Sequence, residues 1–145
     1  MFLFDTDHLS IFQRKQGDDF ARLRTRILRQ DPSDIFVSVI TMHEQLQGWN
    51  AYLSKVKSES DRIIGYERLA KTLTDFKRSQ LLLYTEAAVN IFSELKRKRI
   101  RVGTMDMRIA SIAIATQMTL LTRNTVDFER IPNLKFEDWT VAIDG

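Results

Sequence analysis

The architecture is indicated most clearly by residues 104–122, which read TMDMRIASIAIATQMTLLT. Residues 105–117 are apolar on nearly every side of a helix, so we expect them to form a buried helix. Residues 119–122 form a short apolar run, which is typical of a buried strand. A buried helix that leads directly into a buried strand is the pattern of a crossover connection in a parallel sheet.

The same alternation of strands and helices extends over the rest of the chain. Predicted strands lie at residues 2–4, 35–40, 81–83 and 119–122, with a fifth strand at the sheet edge at 135–139. Predicted helices start near residues 7, 17, 41, 59, 85 and 105. We therefore predict an α/β fold, with one domain over residues 1–145 built on a mostly parallel sheet of four to five strands flanked by helices.

Local residue patterns predict where individual helices begin and which side they bury. Asp7 is expected to cap the first helix and Thr104 the buried helix, because Asp and Thr side chains accept backbone N–H bonds at helix starts. The stretch Thr41-Met42-His43-Glu44 has the form of a capping box. In the helix of residues 59–79, four residues at helical spacing are expected to face the core: Tyr66, Leu69, Leu73 and Phe76.

The composition excludes several kinds of functional site. The 145 residues include no cysteine and two histidines, which excludes disulfides, cysteine nucleophiles and zinc sites built from Cys or His ligands. The lack of cysteine fits a reducing cytosol. No apolar run approaches the ~18 residues of a membrane span. His8 and His43 are expected to serve packing or solvent contact, and Trp49 and Tyr52 the core or a dimer surface.

Positive charge is concentrated in two segments of the chain. The formal net charge is +3, and the cations cluster at residues 22–29 and 96–101. Such runs can neutralise the phosphates of a nucleic acid. They can equally be solvated faces of helices, and the sequence leaves both interpretations open.

Four acidic residues follow strands or begin the buried helix: Asp5, Glu44, Asp106 and Asp127. Each one alone has an ordinary structural explanation, as a turn residue, a capping-box member or a first-turn acid. Together they are more informative, because the carboxyl ends of parallel strands meet at one edge of the sheet, where ligands of α/β folds bind. We therefore expect the four carboxylates to share one site.

Carboxylates packed this closely repel one another strongly. Two of them about 5 Å apart repel by roughly 3 kcal/mol at an effective dielectric of 20. Three such pairs cost about as much as the whole stability of a domain, so the cluster must take up protons or bind cations. With oxygen ligands only, the expected ion is Mg²⁺ or Mn²⁺.

Four segments of the sequence resemble the PIN-domain ribonucleases, and within them the VapC-type toxins of bacterial toxin–antitoxin pairs. The resemblance covers nearly the whole chain and is most specific in its last segment. The matching segments are Asp5-Thr6-Asp7-His8-Leu9, Ser38-Val39-Ile40-Thr41-Met42-His43-Glu44, Asp106-Met107-Arg108-Ile109-Ala110 and Leu121-Thr122-Arg123-Asn124-Thr125-Val126-Asp127-Phe128. The chain departs from the family pattern at Asp7, where Asn is usual, and at Asn133, where Gly is usual.

The resemblance implies a role for each acidic position. It makes Asp5, Glu44 and Asp106 metal-binding acids, and it leaves open whether Asp127 or Asn124 completes the site; we assign Asp127 as the fourth acid. Further residues are implied as polar support (Thr6, Thr122 and Asn124) and as RNA phosphate contacts (Arg108 and Arg123).

The resemblance also implies a PIN-like fold and a cytoplasmic, Mg²⁺-dependent endoribonuclease, in which Mn²⁺ can replace Mg²⁺. Its implied partners are an RNA substrate such as tRNA, a VapB-type antitoxin that neutralises it, and a second copy of the chain in a homodimer. Three alternatives remain open on the residues themselves. They are a non-catalytic RNA- or protein-binding module, a structure-specific DNA nuclease with the same acids, and a receiver-like phosphoacceptor. The last is disfavoured because Arg123 stands where that class needs Lys.

Overall fold

A five-stranded sheet forms the centre of the molecule in the computed structural model, which describes residues 1–143. The strands are β1 (Phe2–Phe4), β2 (Ile35–Ser38), β3 (Leu81–Leu82), β4 (Thr119–Leu121) and β5 (Phe136–Glu137). Their order is β3-β2-β1-β4-β5, and every neighbouring pair is parallel. The predicted α/β class and the edge position of the fifth strand are confirmed. The last two residues of the predicted 1–145 domain lie outside the described residues.

Seven α-helices connect the strands of the described chain. They are α1 (Thr6–Arg14), α2 (Asp18–Ile27), α3 (Val39–Lys55), α4 (Glu59–Lys77), α5 (Glu86–Arg97), α6 (Thr104–Thr116) and α7 (Thr125–Phe128). Helix α6 is the buried crossover predicted from its sequence, since Ile109, Ala110 and Ala113 have no exposed surface. Within residues 1–143, no helix is long and apolar enough to cross a membrane.

The sheet separates two hydrophobic clusters, as the alternation of side chains along a strand requires. Leu3 packs with α5 and α6 on one side, and the next residue, Phe4, packs with α1 and α2 on the other. In β4, Leu120 packs in the same cluster as Leu3, and Leu121 packs in the same cluster as Phe4. The central strands are therefore buried on both sides, and their carboxyl ends are held in fixed positions.

Three predicted helix caps are wrong by one to three residues. Helix α1 begins at Thr6, and its cap is Asp5, whose carboxylate accepts the Thr6 N–H at 2.8 Å, rather than Asp7. Helix α3 begins at Val39, where β2 was expected to continue, because the Ser38 hydroxyl accepts the Thr41 N–H at 3.2 Å. Gly103 rather than Thr104 occupies the cap position of α6.

The predicted capping box at Thr41 is therefore absent. Helix α3 begins at Val39, ahead of Thr41, so Glu44 lies in the second turn of the helix and its side chain does not serve the helix start. This correction matters for function, because it leaves the Glu44 carboxylate available to the site described below.

Helix α4 buries only part of the side predicted, since Phe76 is buried as expected and Leu69 is half-buried. Tyr66 and Leu73 are 58% and 54% exposed, whereas Gly65, Thr72 and Phe76 are buried. Gly65 allows close packing on α3, since a Cβ atom at this position would lie 2.5 Å from Leu53 Cδ2. The apolar pattern was wrong for Tyr66 and Leu73 because a glycine and a threonine, which do not register as apolar, complete the buried side with Phe76.

Candidate functional site

The four predicted acids converge at the carboxyl edge of the sheet. Asp5 follows β1 and is 5% exposed. Its Oδ2 accepts a 2.8 Å hydrogen bond from the buried Thr122 hydroxyl, which follows β4. The neighbouring strands β1 and β4 are thus joined just beyond their ends by one carboxylate and one hydroxyl. The predicted supporting position of Thr122 agrees with this contact.

Glu44 is held at the same edge by side chains from α1 and α3. The Thr6 hydroxyl lies 2.9 Å from Glu44 Oε1 and 3.2 Å from the Thr41 hydroxyl. Because Thr41 is buried and fixed by the Ser38 cap, it fixes Thr6, which in turn orients the carboxylate. Thr6 was predicted as polar support, and the structure places it in contact with Glu44.

Asp106 and Asp127 are linked through Asn124. The Asn124 side-chain amide donates to Asp106 Oδ2 at 3.4 Å and to Asp127 Oδ2 at 3.0 Å. Both candidates for the fourth polar position are therefore present, with Asn124 between the two acids. On its outer side Asp127 pairs with Arg130 at 3.4 Å.

The electrostatics show that these carboxylates act on one another. The pKa of Asp5 is raised from 3.8 to about 7, mainly by burial and also by the charges of Asp7 and Asp106, against the lowering effect of its hydrogen bonds from Thr122 and Thr6. Burial also raises the pKa of Asp106, and its pKa is raised further by the charges of Glu44, Asp127 and Asp7. The site therefore disfavours its own negative charge, as expected for a cation-binding cluster.

Asp7 is a fifth acid at this edge, which the sequence suggested only as a helix cap and as a departure from the family pattern. Its Oδ2 accepts the backbone N–H of Arg123 at 3.0 Å, and its Oδ1 lies 2.8 Å from His8 Nδ1. His8 Nε2 accepts the backbone N–H of Trp139 at 3.1 Å, which places the ring proton on Nδ1. His8 is fully buried. The hydrogen bonds through Asp7 and His8 therefore connect the acidic edge of the sheet to the C-terminal segment.

The donors present fit a hard divalent cation. Carboxylate oxygens are ligands that Mg²⁺ takes. The half-buried Asp106 has other acids near it, since its pKa is raised by burial and then by the charges of Glu44, Asp127 and Asp7. Within residues 1–143, no three acidic or histidine side chains stand close enough together to surround one ion as they are oriented. Asp5, Glu44 and Asp127 each turn toward a hydroxyl or amide donor.

The two predicted phosphate-binding arginines lie beside the acids and do not contact them through their guanidinium groups. Arg108 stacks over the Phe92 ring, with its guanidinium carbon 5.3 Å from the ring centroid. The side chain of Arg123 is 53% exposed and lies 3.7 Å from Asp19. A role of either arginine in binding RNA phosphates stays a prediction.

The two basic segments have different surroundings. In α2, Arg22 and Arg26 donate to the backbone carbonyls of Thr140 and Asp138, so they hold the C-terminal segment. The other segment, residues 96–101, continues the surface next to the acids, because Arg130 bonds both the Arg101 carbonyl (2.9 Å) and Asp127. We call residues 96–101 together with Arg130 the basic ridge.

Replacing Asp5 with asparagine should stabilise the metal-free protein at high pH. Since the pKa of Asp5 is higher in the folded chain than the ordinary 3.8, its contribution to stability is largest below pH 4 and falls as the pH rises toward 7. The difference between the folded and the ordinary pKa of Asp5 corresponds to roughly 4 kcal/mol of stability at high pH. In the Asp5→Asn variant, weaker hydrogen bonds to Thr6 and Thr122 offset part of this gain. Urea unfolding in EDTA should give a gain of about 2 kcal/mol at pH 8 and little change at pH 4. Equal stability of the two proteins at pH 8 would contradict this.

The family model described as "PIN domain" matches residues 3–134. The chain is 35% identical over 105 residues to "Ribonuclease VapC2" of Rickettsia felis, which covers 72% of this chain and 74% of that protein. It is 31% identical over 143 residues to "tRNA(fMet)-specific endonuclease VapC" of Salmonella typhimurium, covering 95% and 97%.

The fold is similar to that of a chain in the crystal structure of DNA-bound VapBC from Salmonella typhimurium. The TM-score is 0.75 at 27% identity, with 95% of this chain and 97% of that chain covered. The region matched by the family model includes all four predicted acids.

Proposed function

The chain belongs to the PIN-domain family, among the VapC-type ribonucleases, and we propose that it cleaves RNA endonucleolytically with the help of a divalent metal ion. The observation that carries the proposal is the convergence of Asp5, Glu44, Asp106 and Asp127 at one sheet edge. The pKa of Asp106, which is raised by burial and by the charges of Glu44, Asp127 and Asp7, supports it. A non-catalytic module would have no reason to keep mutually repelling acids together.

Asp5, Glu44 and Asp106 would hold the ion, with Asp127 assisting at the outer side. When bound, Mg²⁺ or Mn²⁺ supplies charge stabilisation at the scissile phosphate and activation of the attacking water. The expected reaction is hydrolysis that leaves a 3′-hydroxyl and a 5′-phosphate.

The other polar residues of the site position these acids. Thr122 and Thr6 donate to Asp5 and Glu44, which keeps each carboxylate from turning away from the site. Asn124 donates to both Asp106 and Asp127, so it spaces two like charges and screens them with its amide dipole. Rigid orientation of this kind is how a protein lowers the reorganisation needed during reaction.

The basic ridge supplies the affinity for a polyanion that an acidic site lacks. It adjoins Asp127 through Arg130, so an RNA phosphate next to the cleaved one reaches positive charge on that side. Binding through phosphates weakens as the salt concentration rises. We therefore expect the KM for RNA to increase strongly between low and physiological salt.

Related proteins suggest the partners. One relative is named for cleavage of tRNA(fMet), which makes tRNA the first substrate to test. Similar solved structures are described as toxin–antitoxin or VapBC complexes, two of them bound to DNA. We propose that this chain is likewise neutralised by an antitoxin protein and that it forms a homodimer.

The decisive test is incubation of the purified protein with total cellular RNA, tRNA and single-stranded DNA of matched sequence. The proposal predicts new RNA ends bearing 5′-phosphates, formed with Mg²⁺ and not with EDTA. Cleavage of DNA with equal efficiency would indicate a DNA nuclease instead. Binding of RNA without cleavage under any divalent ion would indicate a non-catalytic module.

A further inference from the structure

A groove of about 690 Å³ opens between α1, α3 and α4 and begins at the acidic site. Thr6 and Glu44, which belong to that site, also line the groove. Its volume lies within the roughly 300–1,000 Å³ of pockets that enclose small ligands. A ligand that is bound in the acidic site and extends from Glu44 toward α4 must enter the groove.

One wall of the groove carries two aromatic rings. Trp49 and Tyr52 on α3 are half-buried and contact each other edge to face, with ring centroids 5.8 Å apart and an angle of 77°. The edge-to-face contact fixes the orientation of both rings. The sequence had favoured the core or a dimer surface for them, but the structure places both on the groove wall.

The opposite wall carries positive charge from α4. Lys71 pairs with Asp75 at 2.8 Å. The exposed Arg68 guanidinium makes no hydrogen bond or ion pair within residues 1–143. By contrast, the nearby Lys71 ammonium donates to Asp75, and the Thr72 hydroxyl donates to the Arg68 carbonyl. An exposed arginine facing an aromatic pair across a groove is suited to a phosphate and a base bound together.

Between these walls, α3 leaves an open position at Gly48. A Cβ atom built on Gly48 would meet no atom within 4 Å. A glycine inside a helix weakens that helix, and here its lack of a side chain keeps the groove open beside Trp49.

We propose that this groove binds an unpaired RNA nucleotide next to the scissile phosphate, with its base stacked on Trp49 and its phosphate at Arg68. The proposal rests on the proposed ribonuclease function, whose acidic site shares Thr6 and Glu44 with the groove. An aromatic ring paired with a cation beside a phosphate-cleaving site matches the chemistry of single-stranded nucleic acid binding. The enzyme therefore requires an unpaired nucleotide at this position and cleaves fully paired RNA poorly.

Tryptophan fluorescence tests this directly. The chain has two tryptophans, and Trp139 is only 2% exposed, so a bound ligand reaches the half-buried Trp49. In the Asp106→Asn protein, which is expected to bind and not to cleave, a single-stranded RNA oligonucleotide should quench the emission. In that background Trp49→Ala should weaken RNA binding about 10-fold, and Trp49→Phe by about 3-fold or less. Tyr66→Ala is the matched control, since Tyr66 is exposed on α4 outside the groove.

Substitution of Gly48 gives a second test that does not depend on removing an aromatic ring. Gly48→Leu should raise the KM for RNA at least about 10-fold by filling the groove. This variant should bind Mn²⁺ normally and melt at or above the temperature of the unmodified protein, because leucine favours a helix over glycine.

Two results would overturn the proposal. One is RNA binding and cleavage that are unchanged in both Trp49→Ala and Gly48→Leu. The other is that these variants lose only their inhibition by an antitoxin, which would make the groove a protein-docking site. Failure of the ribonuclease function itself would look different, because the unmodified protein would then release no RNA fragments with any metal ion.

Discussion

Replacing Asp106 with asparagine should lower kcat/KM for RNA cleavage by roughly 10³-fold or more while leaving the fold intact. Asp106 begins α6 at the centre of the acidic site, where Glu44, Asp127 and Asp7 all act on its charge. Asparagine keeps the size and the hydrogen bond to Asn124 and removes one negative charge. The site then attracts a divalent cation less strongly, whereas the repulsion among the remaining acids decreases.

The comparison that isolates this effect is Glu67→Gln, which removes one charge from the exposed surface of α4. It should change kcat/KM less than 3-fold at fixed salt, because a distant exposed charge is screened. Thermal melting should show that Asp106→Asn is at least as stable as the unmodified protein. Cleavage by Asp106→Asn within 10-fold of the unmodified rate would remove Asp106 from the proposed mechanism.

Removing divalent metal should have the second large effect, on both activity and stability. EDTA should bring cleavage to the background rate, and excess Mg²⁺ or Mn²⁺ should restore it. An ion that binds only the folded chain at 100 times its Kd stabilises it by about 2.7 kcal/mol, which for a chain of 145 residues corresponds to roughly 8 °C in Tm. The relief of repulsion around Asp5 and Asp106 is the physical source of this gain.

The doubly substituted protein Asp5→Asn with Asp106→Asn separates site binding from general ionic effects. Its Tm should not respond to Mn²⁺ at concentrations that stabilise the unmodified protein. If EDTA left cleavage unchanged, the acids would have to act as proton-transfer groups, and the metal-dependent proposal would be wrong.

The sequence predicts the placement of the four acids better than it predicts the local structure around them. The order of strands and helices follows from apolar periodicity, and the rule that parallel strands end at one edge then brings Asp5, Glu44, Asp106 and Asp127 together. Helix starts were missed by a few residues. Ser38 and Thr41 are both good caps, and in the structure the Ser38 hydroxyl accepts the Thr41 N–H, which makes Ser38 the cap. The family resemblance identified the acids but did not show what orients them.

What the sequence could not predict are contacts between residues far apart in the chain. His8 accepts the Trp139 N–H across 131 positions, and no local pattern encodes such a pair. The groove was missed for a similar reason: its aromatic wall is on α3 and its cations are on α4. Trp49 looks like a core residue until the position of α4, set by Gly65 packing on α3, shows that a groove lies beside it.

The claim on which everything else depends is that these carboxylates form one divalent-cation site. Isothermal titration of the metal-free protein with Mn²⁺ at pH 8 tests it most directly. The structure predicts saturable binding that is lost in Asp5→Asn and in Asp106→Asn and retained in Glu67→Gln. Binding of the same strength in all four proteins, or no binding in any of them, would contradict it.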